Sequence, residues 1–124
     1  MFSFPIRVYW EDTDAGGVVY HASYVRFLER ARTEWLRAMG HGQQALRERE
    51  DLLLVIRDMT IEFHKPARLD DELLVSVQLG ERRRASFIIA QTITRGDDLL
   101  VNASVRAAAI HASSFRPRPL PPWL

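Results

Sequence analysis

The chain contains no cysteine, which excludes a disulfide framework and a thiolate metal site. No apolar run is long enough to cross a bilayer. The start, MFSFPIRVYWED, has neither the basic head nor the apolar middle of a secretory leader. A cytoplasmic protein without membrane insertion is therefore expected. Excess charge is missing too: the net charge is +1 at pH 7, which gives no electrostatic case for a nucleic-acid partner. Lysine is nearly absent, since every basic residue except Lys65 is arginine. A coding bias explains this more economically than function does, although the planar guanidinium suits phosphate locally.

What is present fits one ordinary domain of 124 residues, 47% of them apolar and 27% charged. The stretch that organises it is 10–40, WEDTDAGGVVYHASYVRFLERARTEWLRAMG, an acidic glycine-containing loop running into the only long amphipathic helix. Tyr24, Phe27, Leu28, Ala31, Trp35, Leu36 and Met39 recur at three- and four-residue spacing and form one apolar stripe. Glu29, Arg30, Arg32, Thr33 and Glu34 are expected to form a solvated flank. Ser23 is a plausible N-cap, with Ala22 or His21 as other starts, and Gly40 suits the residue after the end. Residues 41–51 fit a short helix or a loop equally well.

The remainder reads as strand. Residues 3–10 suggest a first strand with Ile6, Val8 and Trp10 on one face and Pro5 marking an edge. Alternating segments follow at 53–64, 72–82, 85–94 and 99–111, and the short turns between them predict a consecutive antiparallel meander. A single helix beside these strands implies an α+β fold in which a curved sheet wraps the helix. The last nine residues, RPRPLPPWL, form neither helix nor central strand. The expected division is a domain over 1–113 and a Pro-rich tail over 114–124 lying on the surface or disordered, with Trp123 available to tack it down.

The loop holds the chemistry. Glu11, Asp12 and Asp14 precede Gly16 and Gly17, and His21 stands near the helix start. An acidic loop before a helix is often only a response to the helix dipole. Here, unpaired amides at the helix start would also stabilise a carbonyl oxygen gaining charge, and a nearby carboxylate would activate water or attack directly. Glu11, Asp12, Asp14, His21 and His64 lack the spacing that fixes two metal ligands on one helical face, so neither metal nor cofactor is expected. His41 and His111 look incidental.

The run YWEDTDAGGVVYHASYVRFLERARTEWL, supported by FHKPARLDDEL, resembles the signature of the 4-hydroxybenzoyl-CoA thioesterase-like hotdog family, most like the acyl-CoA thioesterases of bacterial Tol–Pal gene clusters (YbgC-like). The resemblance covers residues 4–112. It implies a five-stranded antiparallel sheet around one long helix and metal-free hydrolysis of an acyl-CoA thioester. Asp14, the second aspartate of D-x-D-x-x-G, would be the catalytic carboxylate, and the His21 N–H would polarise the carbonyl, with a further role open to the His21 side chain. Gly16, Gly17, Val18 and Tyr20 would meet substrate. Lys65 and Arg68, with the Arg82–Arg84 run more weakly, are candidate partners for the CoA phosphates. The chain would form a homo-oligomer, dimer or tetramer, with its site between subunits. A non-catalytic module that binds acyl-CoA or acyl carrier protein on the same fold is the alternative.

Overall fold

The computed structural model describes residues 1–124. In chain order it has strand β1 (Phe2–Arg7), a 3-10 turn (Trp10–Asp12), helix α1 (His21–Ala38), helix α2 (Gln43–Glu50) and strands β2 (Leu52–Phe63), β3 (Glu72–Arg82), β4 (Ser86–Arg95) and β5 (Asp98–His111). The strands form one antiparallel sheet in the order β1-β3-β4-β5-β2. With α1 laid across its inner face, this is the hotdog fold. Neither helix is long and apolar enough to cross a membrane.

Apolar periodicity explains the core. Phe27, Leu28 and Ala31 of α1 are fully buried against Val75 and Val77 of β3, Phe87 and Ile93 of β4, and Val101 and Val105 of β5. Irregular pairing at Ile56/Asp58, Leu79/Arg82 and Ile93/Thr94 bends the strands around the helix. At the centre, side chains stand in for ladder partners. The Thr92 N–H donates to Ser76 Oγ at 2.9 Å, and the Ser76 carbonyl accepts from Gln91 Nε2 at 3.2 Å.

Several expectations change. The four later strands are not a simple meander, because β2 pairs with β5 at the far edge and the crossover 64–71 carries the chain to β3. Its Lys65–Pro66 break is a passage across the end of the sheet, and no hairpin forms there. The strand over 3–10 stops at Arg7, and Trp10, expected inward with Ile6 and Val8, enters the 3-10 turn and is 79% exposed. The undecided segment 41–51 holds α2. Met39 leaves the buried stripe.

Arg32 is the largest departure. It was expected on the solvated flank, but it is buried, with Nη1 donating to Gln91 Oε1 at 3.0 Å and Nη2 to Glu29 Oε2 at 2.6 Å. A buried guanidinium persists only when paired in this way. Helical spacing places Arg32 beside Leu28 and Ala31, but the partner on β4 is invisible to local pattern.

The tail lies on the body. Its amides donate to β5 and to the β3–β4 turn, with Arg118 N–H to the Ala109 carbonyl at 3.1 Å and Leu120 N–H to the Arg84 carbonyl at 2.8 Å. Trp123 stacks on His41 with ring centroids 3.7 Å apart, and Leu124 is buried.

The crossover is stapled to the β4–β5 hairpin. Arg95 Nη1 donates to the Pro66 carbonyl at 3.1 Å and to Asp71 Oδ2 at 2.8 Å. Burial alone would raise the Asp71 carboxyl, but the Arg68 backbone N–H and the Arg95 guanidinium outweigh it and hold it below its ordinary value near 3.8. A carboxyl lowered on folding contributes stability that is present above the unfolded value and lost as pH falls through the folded one. Asp71→Asn should therefore have a lower urea midpoint than wild type at pH 7. The gap should close as the pH drops below the ordinary carboxylate value; a gap independent of pH would contradict the assignment.

Candidate active site

The loop before α1 is closed by Asp12. Its side chain is buried and accepts the Tyr9 N–H at Oδ2, 2.8 Å away. Its carbonyl accepts the Tyr20 N–H at 2.8 Å and the Ser23 hydroxyl at 3.2 Å. Ser23 is therefore not the N-cap. Its hydroxyl points back to the loop from inside the first turn and accepts from Arg26 Nη2 at 2.9 Å. Tyr20 takes the cap position in an extended conformation, with no side-chain cap, and α1 starts at His21. Burial separates Asp12 from Asp14 in the same sense as the motif, with Asp12 buried and Asp14 exposed.

Asp14 is exposed. Its Oδ1 accepts the Gly16 N–H at 2.8 Å, which orients the carboxylate and leaves Oδ2 without a protein partner. The Asp14 N–H donates to the Val18 carbonyl at 2.9 Å, and the Asp14 carbonyl accepts the Gly17 N–H at 3.1 Å. Both glycines have a local cause. A Cβ on Gly16 would stand 3.1 Å from Asp14 Oδ1, and Gly17 holds φ +79.

At the start of α1, the amides of His21 and Ala22 have no backbone acceptor and no capping side chain. They are the positive end of the helix and point at whatever acceptor sits there. The His21 ring lies 4.5 Å from the Tyr20 ring and has no hydrogen-bond partner. Behind it, Tyr24 Oη accepts the Ala67 N–H at 3.0 Å, while the Ala67 carbonyl accepts the Val19 N–H at 2.9 Å. The crossover is thereby tied to both the loop and the helix.

Asp14 and His21 line two separate hollows in one protomer. The first has Trp10, Thr13, Asp14, Ala15, Gly17 and Leu69 around it. The second has Val19, His21, Tyr24, Phe63, His64, Lys65 and Pro66. The crossover supplies a wall to each. Trp10, Phe63 and Leu69 lie within the two signature runs, but only the tertiary structure shows that they wall the hollows. Val18 and Tyr20 line neither hollow; Tyr20 is half-exposed at the helix cap. Of the cations, Lys65 pairs with Asp98 at 3.0 Å and holds that carboxyl below its usual range. Arg82 donates to the Leu124 carbonyl and Arg83 pairs with Glu81. The exposed Arg68 guanidinium has no protein partner. His64 lines the second hollow with its Nε2 against Asn102 Oδ1.

Comparison with known proteins gives a consistent picture. Residues 8–124 match the family model described as thioesterase-like superfamily, a span that includes the tail. The chain is 48% identical to the acyl-CoA thioester hydrolase YbgC of Escherichia coli O6:H1 over 98% of its own length and 90% of that protein's. It is 43% identical to the acyl-CoA thioesterase YbgC of Haemophilus influenzae, over 97% and 88%. Among solved structures, a probable thioesterase from Bartonella henselae superposes with a TM-score of 0.92 at 39% identity, covering 96% of this chain and 98% of that one. A 1,4-dihydroxy-2-naphthoyl-CoA thioesterase from Synechocystis superposes with a TM-score of 0.90 at 27% identity, over 98% and 90%.

Gly17 tests the loop geometry directly. No atom lies within 4 Å of a Cβ built there, so only the backbone resists a side chain. Gly17→Ala should destabilise the fold by about 1 kcal/mol, and Gly17→Asn by less, because asparagine tolerates the left-handed region. Urea denaturation measures both. An alanine variant as stable as wild type would show that the loop does not hold this conformation.

Proposed function

The chain belongs to the thioesterase-like superfamily, and from that premise we propose that Asp14 and the open first turn of α1 carry out its reaction. The reaction is hydrolysis of the thioester bond of an acyl-CoA to the free acid and CoA. The observation that carries the assignment is the pairing of an oriented, exposed carboxylate with unpaired helix-start amides on one short loop.

The thioester carbonyl oxygen lies against the His21 and Ala22 N–H groups, which meet its negative charge as the tetrahedral intermediate forms. Asp14 Oδ2 takes a proton from water while the water oxygen bonds to the carbonyl carbon. Collapse breaks the carbon–sulfur bond, and the proton passes to the departing CoA sulfur. In the covalent variant, Oδ2 attacks the carbon itself, the carbon–sulfur bond breaks and CoA leaves as thiolate to take a proton from water, and a second water hydrolyses the resulting anhydride to the free acid and the Asp14 carboxylate. Asp12 cannot replace Asp14 in either route, because its carboxylate is buried and engaged. Lys65 lines the His21 hollow but would first have to leave Asp98, whereas Arg68 lines neither hollow and makes no side-chain hydrogen bond, so each is a candidate for a CoA phosphate. A cytoplasmic setting is the reading that an acyl-CoA substrate supports.

We also propose that the working unit is a homo-oligomer. The two hollows stand open and apart in one protomer, and a second copy would cover them and bring them to a common substrate. Of the two sheet edges, β1 carries Pro5, which lacks a donor, whereas β2 is long and exposes Ile56 and Phe63. Two-fold pairing of β2 edges is the arrangement these features favour.

Thiol release from a panel of acyl-CoAs tests the chemistry. Asp14→Asn should lower kcat by about a hundredfold or more with little change in stability. Gly16→Ala should lower kcat less, by displacing the same carboxylate. Equal rates for wild type and Asp14→Asn would remove Asp14 from the mechanism, and a wild type that binds acyl-CoA without turnover would favour the non-catalytic module. Sedimentation velocity should show a dimer or tetramer; a fully active monomer would overturn the proposed assembly.

A further inference from the structure

The buried Arg32 has no part in the mechanism above, yet it stands at one end of an apolar strip of β2 whose other end, Phe63, lines the His21 hollow. Helix α1 leans toward β1 and β3, so the inner face of β2 is only partly covered. Leu54, Ile56, Met59, Ile61 and Phe63 lie opposite the buried Ala109, Ala107, Val105, Ala103 and Val101 of β5 and therefore share that inner face. They form an apolar floor along the flank of α1. At one end Phe63 meets Tyr24 in the His21 hollow, with ring centroids 5.5 Å apart. In the middle, Val25 and Arg26 face Ile56 and Met59. The far end narrows between Glu29, Arg32 and Trp35 on one side and Leu54, Phe87 and Ile89 on the other, and it shares Glu29, Arg32 and Ile56 with the middle section.

The far end is chemically unlike the floor. Gln91 and Glu29 each accept one N–H from Arg32, and a guanidinium carries five. The remaining three have no protein acceptor, although the side chain is only 6% exposed. Glu29 offsets the charge, so the group needs neutral oxygen acceptors more than an anion. Only solvent or an oxygen on a bound chain can accept them. A hydrocarbon end would displace solvent and leave buried donors unpaired, which is unfavourable.

Resting on the thioesterase reading, we propose that this trough is the acyl track and that Arg32 closes it as an end-group selector. Acyl chains that stop short of Arg32, or that carry a neutral oxygen such as a hydroxyl at their far end, are accepted; plain hydrocarbon chains that reach it are rejected. His21 and Arg32 are eleven residues apart, which is roughly 16 Å along the helix, the reach of a saturated chain of about a dozen carbons.

The test is the ratio of kcat/KM across straight-chain acyl-CoAs from butanoyl to hexadecanoyl, together with ω-hydroxydodecanoyl-CoA. For wild type, the profile should fall beyond about a dozen carbons, and the ω-hydroxy substrate should exceed dodecanoyl-CoA by about tenfold, the value of buried donors regaining an acceptor. In Arg32→Met the hexadecanoyl-to-butanoyl ratio should rise by about tenfold and the ω-hydroxy preference should vanish. Met59→Trp, in the middle section and outside the exposed positions assigned to β2 pairing, should shorten the accepted chain by filling the trough upstream while sedimentation velocity stays as in wild type. Three results would each overturn the inference: a profile unchanged in both variants, a wild type that prefers hexadecanoyl-CoA, or a wild type that already rejects octanoyl-CoA. No turnover of any acyl-CoA by wild type would instead strike the thioesterase reading itself.

Discussion

The site depends on one buried carboxylate that does no chemistry. Asp12 receives the Tyr9 N–H on its side chain and the Tyr20 N–H on its carbonyl, so it pins both ends of the loop that joins β1 to α1. Without the carboxylate, the Tyr9 end would lose its side-chain tie, and the loop would be held by the Asp12 carbonyl, the Thr13–Val19 bridge and the ties of Val8 and Val19 to the crossover. With it, the helix begins at a fixed place without a side-chain cap, which leaves its first amides free. A conventional serine or aspartate cap would fill those amides and remove the feature that can grip a carbonyl.

The same economy explains the two aspartates. One carboxylate is buried and fully engaged, and its neighbour two residues on is exposed and half engaged. Gly16 supplies the single hydrogen bond that orients Asp14, and a side chain on Gly16 would crowd Oδ1. Reactivity and rigidity are thus placed on different residues of one short run. The crossover then holds this run from the other side, through Ala67 to Val19 and Tyr24, and is itself held by Arg95. A sheet staple far from the loop in sequence therefore supports the geometry of the site.

The central helix, the strand segments and the candidate carboxylate were legible because each is written in local pattern: three- and four-residue apolar spacing, strict alternation, and the glycine-rich acidic run. Properties set by long-range partners were not. Ser23 has the residue type of a cap, but its acceptor lies eleven positions back at Asp12. Arg32 has the residue type of a solvated flank, but Gln91 on β4 receives it. Alternation identified β2 and β3 correctly as strands yet could not show that β2 lies at the far edge from β3, since adjacency depends on how an eight-residue link crosses the strand ends. Trp10 alternates properly with Ile6 and Val8, but the strand stops before alternation can bury it.

The separation of the Asp14 and His21 hollows follows from the same division between local and long-range information. The motif brings the two residues within seven positions, and in the fold they line different hollows, each with a wall from the crossover. One protomer alone presents a carboxylate, a row of amides, an uncovered apolar floor and a donor-free edge at Pro5, but no enclosed chamber. Water would reach a thioester bound to it from several directions, and the desolvation that strengthens an amide–oxyanion contact would be incomplete. The proposed second copy would close the chamber, and β2 is the edge with the length and apolar exposure to receive one. Assembly would then be part of the active site's construction, for the same physical reason that the helix start is left uncapped: each leaves a polar or apolar surface unpaired until another molecule arrives.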